Sequence, residues 1–436
     1  MATKRSKLEL LDKIFVGLLL IIFGGIVLHA PLSVGLGTLF PDFALLIKSW
    51  KELLMIAAAL IALILLGRKK QWVLLRDPLI LLIVGYALLH LALTQFFYNG
   101  AAAVLAGLAI DLRYLLFFVL VYIAIRLYPE LRRTFVATFI VGALMVVVFA
   151  LLQVTVLPVD VLKYIGYGDA TIVPYLTVDQ NSDYIRINST LRGPNPLGAY
   201  ALMVLTLFAA YWIRGNHRHF KRPAVFATLL GVGGLVALWA SYSRSALIAT
   251  VVALSLVLLL TLGRKLSGWV WVSIVALAVA LSGGLYTARG TDFVSNVLLH
   301  ENQNGGTEIN SNEGHIDSLA DGVNRMVHQP LGGGIGSTGS ASLYSDEGLI
   351  IENQYLFIAH ETGWLGLGLF LYIFWRVLRL LWRRRQDWLA LGVLASGIGL
   401  ALIGLLLPVW VDDTVAIIWW GLAAIVIGGR YERTIN

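Results

Sequence analysis

The chain has 436 residues, of which 58% are hydrophobic and 13% charged, with a formal net charge of +8 at pH 7. Soluble domains carry about 25% charged residues, and this much apolar surface does not fit inside a soluble core, so a soluble protein is excluded. The basic residues stand in short clusters between apolar runs of about 20 residues, which is the pattern of membrane topology and not of a nucleic-acid partner; with no cysteine there is no disulfide framework, thiolate metal site or cysteine nucleophile.

The opening segment MATKRSKLELLDK leads into an apolar run without a small-residue cleavage site, so the first span is expected to be retained. Apolar runs follow at 14–33, 52–67, 78–97, 104–125, 134–157, 195–213, 223–241, 245–262, 268–287, 352–377, 388–409 and 413–429. A bilayer demands that each backbone group be satisfied within its own segment, so these runs predict about twelve helices. The expectation is an all-α polytopic membrane protein forming one integral-membrane domain over residues 1–436.

Lysine and arginine set the orientation. With the N-terminus cytoplasmic, alternation of the spans puts 24 of the 33 basic residues inside. Lys48, Lys51, Arg113, Lys163, Arg186, Arg192, Arg244, Arg289 and Arg325 fall at or near the outer face. Both termini are then cytoplasmic. Two outer connections, 158–194 and 288–351, are too long for simple hairpin turns, and long loops in compact proteins tend to carry function. The second has a helix-like centre over about Ile316–His328, ended by Pro330 and a glycine run. No internal repeat is visible, which weakens a transporter reading.

Arginines at the face that lacks basic residues need a reason. Arg192 lies in TLRGPNP, where two prolines and a glycine stiffen the turn before a helix; Arg244 lies in SYSRSAL, between two spans with almost no loop. A snorkelling arginine at a helix end is the ordinary explanation for either one. Guanidinium groups match phosphate oxygens bidentately and stay charged at any relevant pH, so the pair would suit a lipid-linked diphosphate held at headgroup depth.

A third element is ENQYLFIAHETGWLGLG. Helical spacing puts Glu352, Tyr355, Ala359, Gly363 and Gly366 on one face, with Asn353 and His360 on the next. Other features point less clearly to chemistry. Glu313, His315 and Asp317 in EGHID read as loop, and GGGIGSTG as a flexible turn that lacks the Lys-Ser/Thr ending of a nucleotide loop. Arg325 and His328 are candidates for donor or acceptor contact, with capping of their own helix as the alternative. Asp111 and Arg113 are expected to pair within the fourth span. Asp412 and Asp413 are expected to be solvated, beside Trp410, Trp419 and Trp420 as interface anchors.

TLRGPNPLG, SYSRSAL, HQPLGGGIG and the pattern EN-x9-G-x2-G from Glu352 to Gly366 together resemble the O-antigen ligase and polymerase superfamily over roughly residues 186–368. The resemblance implies about twelve spans with a large periplasmic loop between late helices, in the bacterial inner membrane. It also implies an inverting, metal-independent and cofactor-free transfer of a glycan from undecaprenyl diphosphate to an acceptor hydroxyl at the outer face. Carried onto this chain, Arg192 and Arg244 hold the diphosphate, while Asn353, Tyr355, Arg325 and His328 are candidate donor or acceptor contacts. The chain departs from the ligases that load lipid A core, whose last motif begins with histidine; here Glu352 precedes Asn353. Glutamate can serve as general base if its site raises its pKa. The departure leaves open a repeat-unit polymerase or a ligase with another acceptor, and a lipid-linked oligosaccharide flippase or transporter is the alternative outside this class.

Overall fold

A computed structural model describes residues 8–178, 181–215, 223–263, 311–345 and 348–429, with Thr287 and Thr291 besides. The helices, numbered over these residues, are α1 (Leu10–Gly25), α2 (His29–Leu39), α3 (Ala44–Lys48), α4 (Trp50–Arg68), α5 (Pro78–Phe96), α6 (Ala101–Leu127) and α7 (Arg132–Thr155). After them come α8 (Pro194–Arg214), α9 (Pro223–Ala240), α10 (Arg244–Leu262), α11 (Ser311–His328), α12 (Gly339–Ser342), α13 (Gln354–Arg383), α14 (Trp388–Ile403) and α15 (Asp413–Gly428). Proline at a first turn and short polar caps start several of them: Asp77 accepts from the Leu79 N–H at 2.9 Å ahead of α5.

The protein is predominantly helical, as the apolar runs require. Between α7 and α8, β1 (Tyr175–Val178) and β2 (Asn181–Ile187) pair antiparallel, with Tyr175 opposite Ile187 and Leu176 opposite Arg186. This hairpin is a departure from the all-α expectation. The count of about twelve spans is not confirmed among the described residues. Eight helical stretches among the described residues are long and apolar enough to cross a membrane, with Thr228–Ala240, α14 and α15 as shorter apolar helices; the expected run 268–287 lies outside the described residues except for Thr287.

The short helices have a physical explanation. A lipid-facing helix needs about 20 residues to cross the hydrocarbon, but α15 has 16 and is buried over nearly all of them. It lies along α6 and is wrapped by protein, so the bilayer does not set its length. The peripheral helices are the inverse: Leu60 and Ile64 of α4, Leu88 and Leu91 of α5, and Ile248 and Val251 of α10 are exposed and apolar, as faces against lipid should be.

An aromatic cluster fills the centre. Trp410, Trp419 and Trp420 are fully buried and stack edge or tilt against one another, against Phe374 of α13 and, through Trp420, against Tyr114 and Phe118 of α6. Trp419 Nε1 donates to the Val393 carbonyl of α14 at 3.0 Å. These tryptophans are therefore core, and the expectation that they anchor the membrane interface is overturned.

The two ends of the bundle differ. At one end Arg68 pairs with Glu9, Arg132 with Asp387, Arg214 caps the carbonyls of Leu260 and Arg385, and Arg384 donates to the Gly429 carbonyl. The other end carries the β-hairpin, the α14–α15 connection and the start of α13. Replacing Trp419 by alanine removes a fully buried ring from the centre, and thermal unfolding in detergent should show a loss of about 3–5 kcal/mol; an unchanged melting temperature would contradict this packing.

Candidate functional site

The segment leading to Arg192 is held by buried polar anchors. Asn188 Nδ2 donates to the Val173 carbonyl, the Ser189 N–H to Gln153 Oε1 and Ser189 Oγ to the Val146 carbonyl of α7, at 2.8, 3.1 and 2.7 Å. Leu191 is buried next to them, and the chain then emerges so that Arg192 is exposed ahead of Pro194, the first residue of α8. A rigid base with a projecting guanidinium follows directly from this order of residues.

Arg244 opens α10 and is half-buried. Its turn packs directly on α8, because an added Cβ on Gly198 would stand 2.8 Å from the Ala246 Cβ, 2.9 Å from Ser241 Oγ and 3.0 Å from the Ser243 Cβ. Only a residue without a side chain permits this approach. Arg186 of β2 joins the two turns: its Nε donates to the Ser241 carbonyl at 3.0 Å and its Nη2 to Asn195 Oδ1 at 2.6 Å. The turns bearing Arg192 and Arg244 are thus neighbours across one bridging guanidinium. Tyr184 of β2, Tyr242 of the 241–243 turn and Trp239 of α9 form a chain of rings beside these turns, with centroids 6.4 and 6.2 Å apart.

The Asp412 carboxyl lies within electrostatic reach of Arg192. Asp412 caps α15, accepting from the Val415 N–H at 2.9 Å. Burial pushes the Asp412 carboxyl above the usual carboxylate range, as does the neighbouring Asp413, while the cap bond, Arg192 and Arg113 pull it back. Asp413 is the hub of an ion network: it pairs with Arg113, with Lys51 at 3.1 Å and with His29 at 2.9 Å, and Lys51 also reaches Glu52 at 3.2 Å. Arg113 Nη2 donates to the Val411 carbonyl at 2.5 Å.

Two expectations are corrected here. Asp413 is not solvated but sits among three cationic or imidazole partners. Arg113 does not pair with Asp111; two residues apart on a helix, their side chains point to opposite sides, and Asp111 faces His90 at 3.6 Å instead.

Glu352 is half-buried and precedes α13, outside the helix. The expected face running from Glu352 to Gly366 is therefore not continuous, and Gly363 interrupts it with φ 66° and ψ −172°. This is left-handed φ that favours glycine. Asn353 is the helix cap: its Oδ1 accepts from the N–H groups of Tyr355 and Leu356, and its Nδ2 donates to the Leu405 carbonyl. Tyr355 donates its hydroxyl to the Ala401 carbonyl at 2.8 Å. Both side chains are thus engaged within the protein, Asn353 in starting α13 and Tyr355 in tying it to α14. The 404–412 connection links this corner to the arginines, since Gln354 binds the Gly404 carbonyl and the Trp410 N–H while the Asp412 carboxyl feels the charge of Arg192.

Arg325 and His328 are engaged within α11, the first with Asp321 at 2.7 Å and the second with the Asn324 carbonyl at 2.8 Å. That helix already begins at Ser311, so the EGHID stretch expected as loop is helical backbone. The glycine run after it is not a free turn. The Gly333 N–H donates to the His360 carbonyl, the Pro330 carbonyl accepts from Trp364, and Asn99 Nδ2 binds the carbonyls of Gly333 and Ile335. Among the described residues no group of three His, Asp or Glu side chains is spaced to hold a metal. Arg186 and Asp413 were not singled out from the sequence as site residues. The one available signal for Arg186 was its place on the side poor in basic residues.

Fold and site define a polytopic membrane protein with paired arginine turns and a half-buried glutamate at its loop-rich end. Residues 226–371 match the family model described as O-antigen ligase, and this match supports the O-antigen ligase superfamily for the chain. It takes in Arg244 and the whole of the Glu352–Gly366 motif, while Arg192 lies before it. No curated protein matches the chain.

Two outcomes follow. Arg186→Leu removes both bridges, and amide hydrogen exchange should quicken over 188–196 and 240–245 while α6 and α15 keep their protection; uniform exchange across all four would remove Arg186 from this role. Arg113→Leu leaves Asp413 and Glu52 short of a cation in a largely buried network, and the fold should lose about 3–5 kcal/mol in thermal unfolding.

Proposed function

We propose that the protein is a glycosyltransferase that moves a glycan from undecaprenyl diphosphate to an acceptor hydroxyl, with its site on the extracytoplasmic face of the bacterial inner membrane. The observation that carries this reading is the pair of adjacent arginine turns clamped by Arg186. Arg192 and Arg244 hold the two phosphates, and Arg192 is exposed and makes no hydrogen bond or ion pair among the described residues. Bidentate guanidinium contacts stabilise the charge that develops on a departing diphosphate better than they stabilise the bound donor, and that difference is what lowers the barrier. The acceptor oxygen attacks the anomeric carbon from the side opposite the diphosphate. The glycosidic C–O bond to phosphate breaks with its electron pair leaving on the diphosphate, the new C–O bond forms with inversion, and Glu352 takes the hydroxyl proton.

The cluster of basic residues at the opposite end supports a cytoplasmic placement for both termini. Tyr184, Tyr242 and Trp239 are suited to pack against sugar rings next to the phosphate site, since aromatic rings offer apolar faces with polar tips. The second reading is a repeat-unit polymerase, in which the acceptor is another lipid-linked glycan. Glu352 favours it, because it stands where ligases that load lipid A core have histidine.

The test is a transfer assay with purified protein and undecaprenyl-diphosphate-linked glycan, at matched folded levels. Arg192→Ala and Arg244→Ala should each lower kcat/KM by about 10²–10³-fold, and Glu352→Gln should lower kcat by about 10²–10⁴-fold. A ladder of lengthening lipid-linked products identifies a polymerase, and a single product on a different acceptor identifies a ligase. Wild-type protein that forms no glycosidic bond would reject the proposal.

A further inference from the structure

Away from the arginine turns, three titratable side chains meet in the middle of the bundle. His90 of α5, Asp111 of α6 and Glu361 of α13 are 0%, 8% and 1% exposed. The His90 Nδ1 lies 2.9 Å from the Tyr86 carbonyl, which can only accept, so Nδ1 carries a proton and in the neutral ring Nε2 offers a lone pair. That Nε2 faces Asp111 Oδ2 at 3.6 Å. Glu361 Oε1 accepts from the Gly336 N–H at 3.1 Å, and the Asp111 carboxyl lies beside that of Glu361.

Three buried atoms there have no hydrogen-bond partner: His90 Nε2, Asp111 Oδ2 and Glu361 Oε2. All three accept and none donates. Two bare carboxylates side by side in a dry interior are strongly disfavoured, and among the described residues no lysine or arginine forms an ion pair with either. Arg113, the nearest on the chain, is committed to Asp413, Glu52 and the Val411 carbonyl. The remaining titratable groups near the cluster are Tyr86 and Tyr114, and neither hydroxyl hydrogen-bonds to any of the three atoms. The loop side contributes Gly336 and Thr338 backbone, and the neighbouring His360 ring turns away toward Gly333 and α11. The spacing among the described residues does not suit a metal ion. What the three acceptors lack is a donor, and a proton is the smallest group that supplies one.

We propose that Asp111 and Glu361 form a proton-binding site, sharing one proton between their facing oxygens, with His90 Nε2 as the adjoining acceptor to which it can pass. The bound proton lets two carboxyls hydrogen-bond where two carboxylates would repel. It thereby fastens the glycine loop, tied to Glu361 through Gly336, to α6 and α5. Loss of the proton breaks that O–H bond, leaves both oxygens charged and drives the loop and α13 apart from α6. This site does not depend on the glycosyltransferase reading.

The test is infrared spectroscopy of the full-length protein in lipid nanodiscs at neutral pH, following the C=O stretch of protonated carboxylic acid. Wild type should show a slowly exchanging acid band. Glu361→Gln and Asp111→Asn each replace the shared proton by an amide donor of the same shape, so both should fold and each should lose one acid group's intensity. A wild-type spectrum without any buried acid band overturns the proposal and needs no variant to do so. An acid band undiminished in either folded variant overturns it as well.

Discussion

A helix interrupted inside a membrane cannot leave its freed backbone groups to lipid, and α13 is interrupted at Gly363. The Pro330 carbonyl accepts from Trp364 and the Gly333 N–H reaches the His360 carbonyl, so the segment 330–333 does for the break what a continuing helix would have done. Much of the loop-rich end depends on that substitution. It brings the glycine run against α6, sets Gly336 on Glu361, and allows α13 to begin at an angle governed by Asn353 and the 404–412 connection instead of by its own membrane-crossing half. The half-helix that follows Glu352 is thus a separately mounted piece, fixed at both ends by other parts of the chain.

Charge is sorted on the same principle of need. Arg113, Lys51 and His29 are enclosed, and each is bound to Asp413; such groups are tolerable in a bundle only because they neutralise one another with good geometry. Arg192 is exposed and leans on Asp412 through space alone. A site for an anionic ligand needs this contrast, with a closed network that keeps the scaffold neutral and an open guanidinium above it. Arg186 stands between the two kinds, spent on backbone and amide oxygens to set the spacing of turns that come from distant parts of the sequence.

Helix positions were legible because apolar runs are bounded by charge, and most described runs became helices within a few residues of their expected limits; the first, 14–33, is divided between α1 and α2, α13 runs six residues past 377, and α14 stops six residues short of 409. Lengths were less so: hydropathy does not distinguish a helix facing lipid from α15, which faces protein and is free to be short. The arginines could be placed at one end from topology, and their adjacency could not, because it rests on Gly198 and Arg186, whose roles appear only when α8 and the 241–243 turn are in contact. Asp111 and Arg113 show a different limit. Adjacent opposite charges invite pairing, yet a spacing of two residues turns them apart, and their true partners lie on α5 and at the start of α15. The three tryptophans near the last span look like interface anchors by type, but only burial distinguishes an anchor from a core.

The ion network around Asp413 has a bearing on how the protein is made. Lys51 and Arg113 belong to early helices and Asp413 to a late one, so during synthesis the cations leave the ribosome long before the carboxylate they share. Until then α4 and α6 enter the bilayer carrying positive charge that Glu52 partly offsets. The early helices can therefore reach a provisional arrangement, held near the membrane surface by those side chains. Final burial of Lys51 and Arg113 must wait for α15 to slide into the centre, which makes docking of that helix the step that locks the whole assembly.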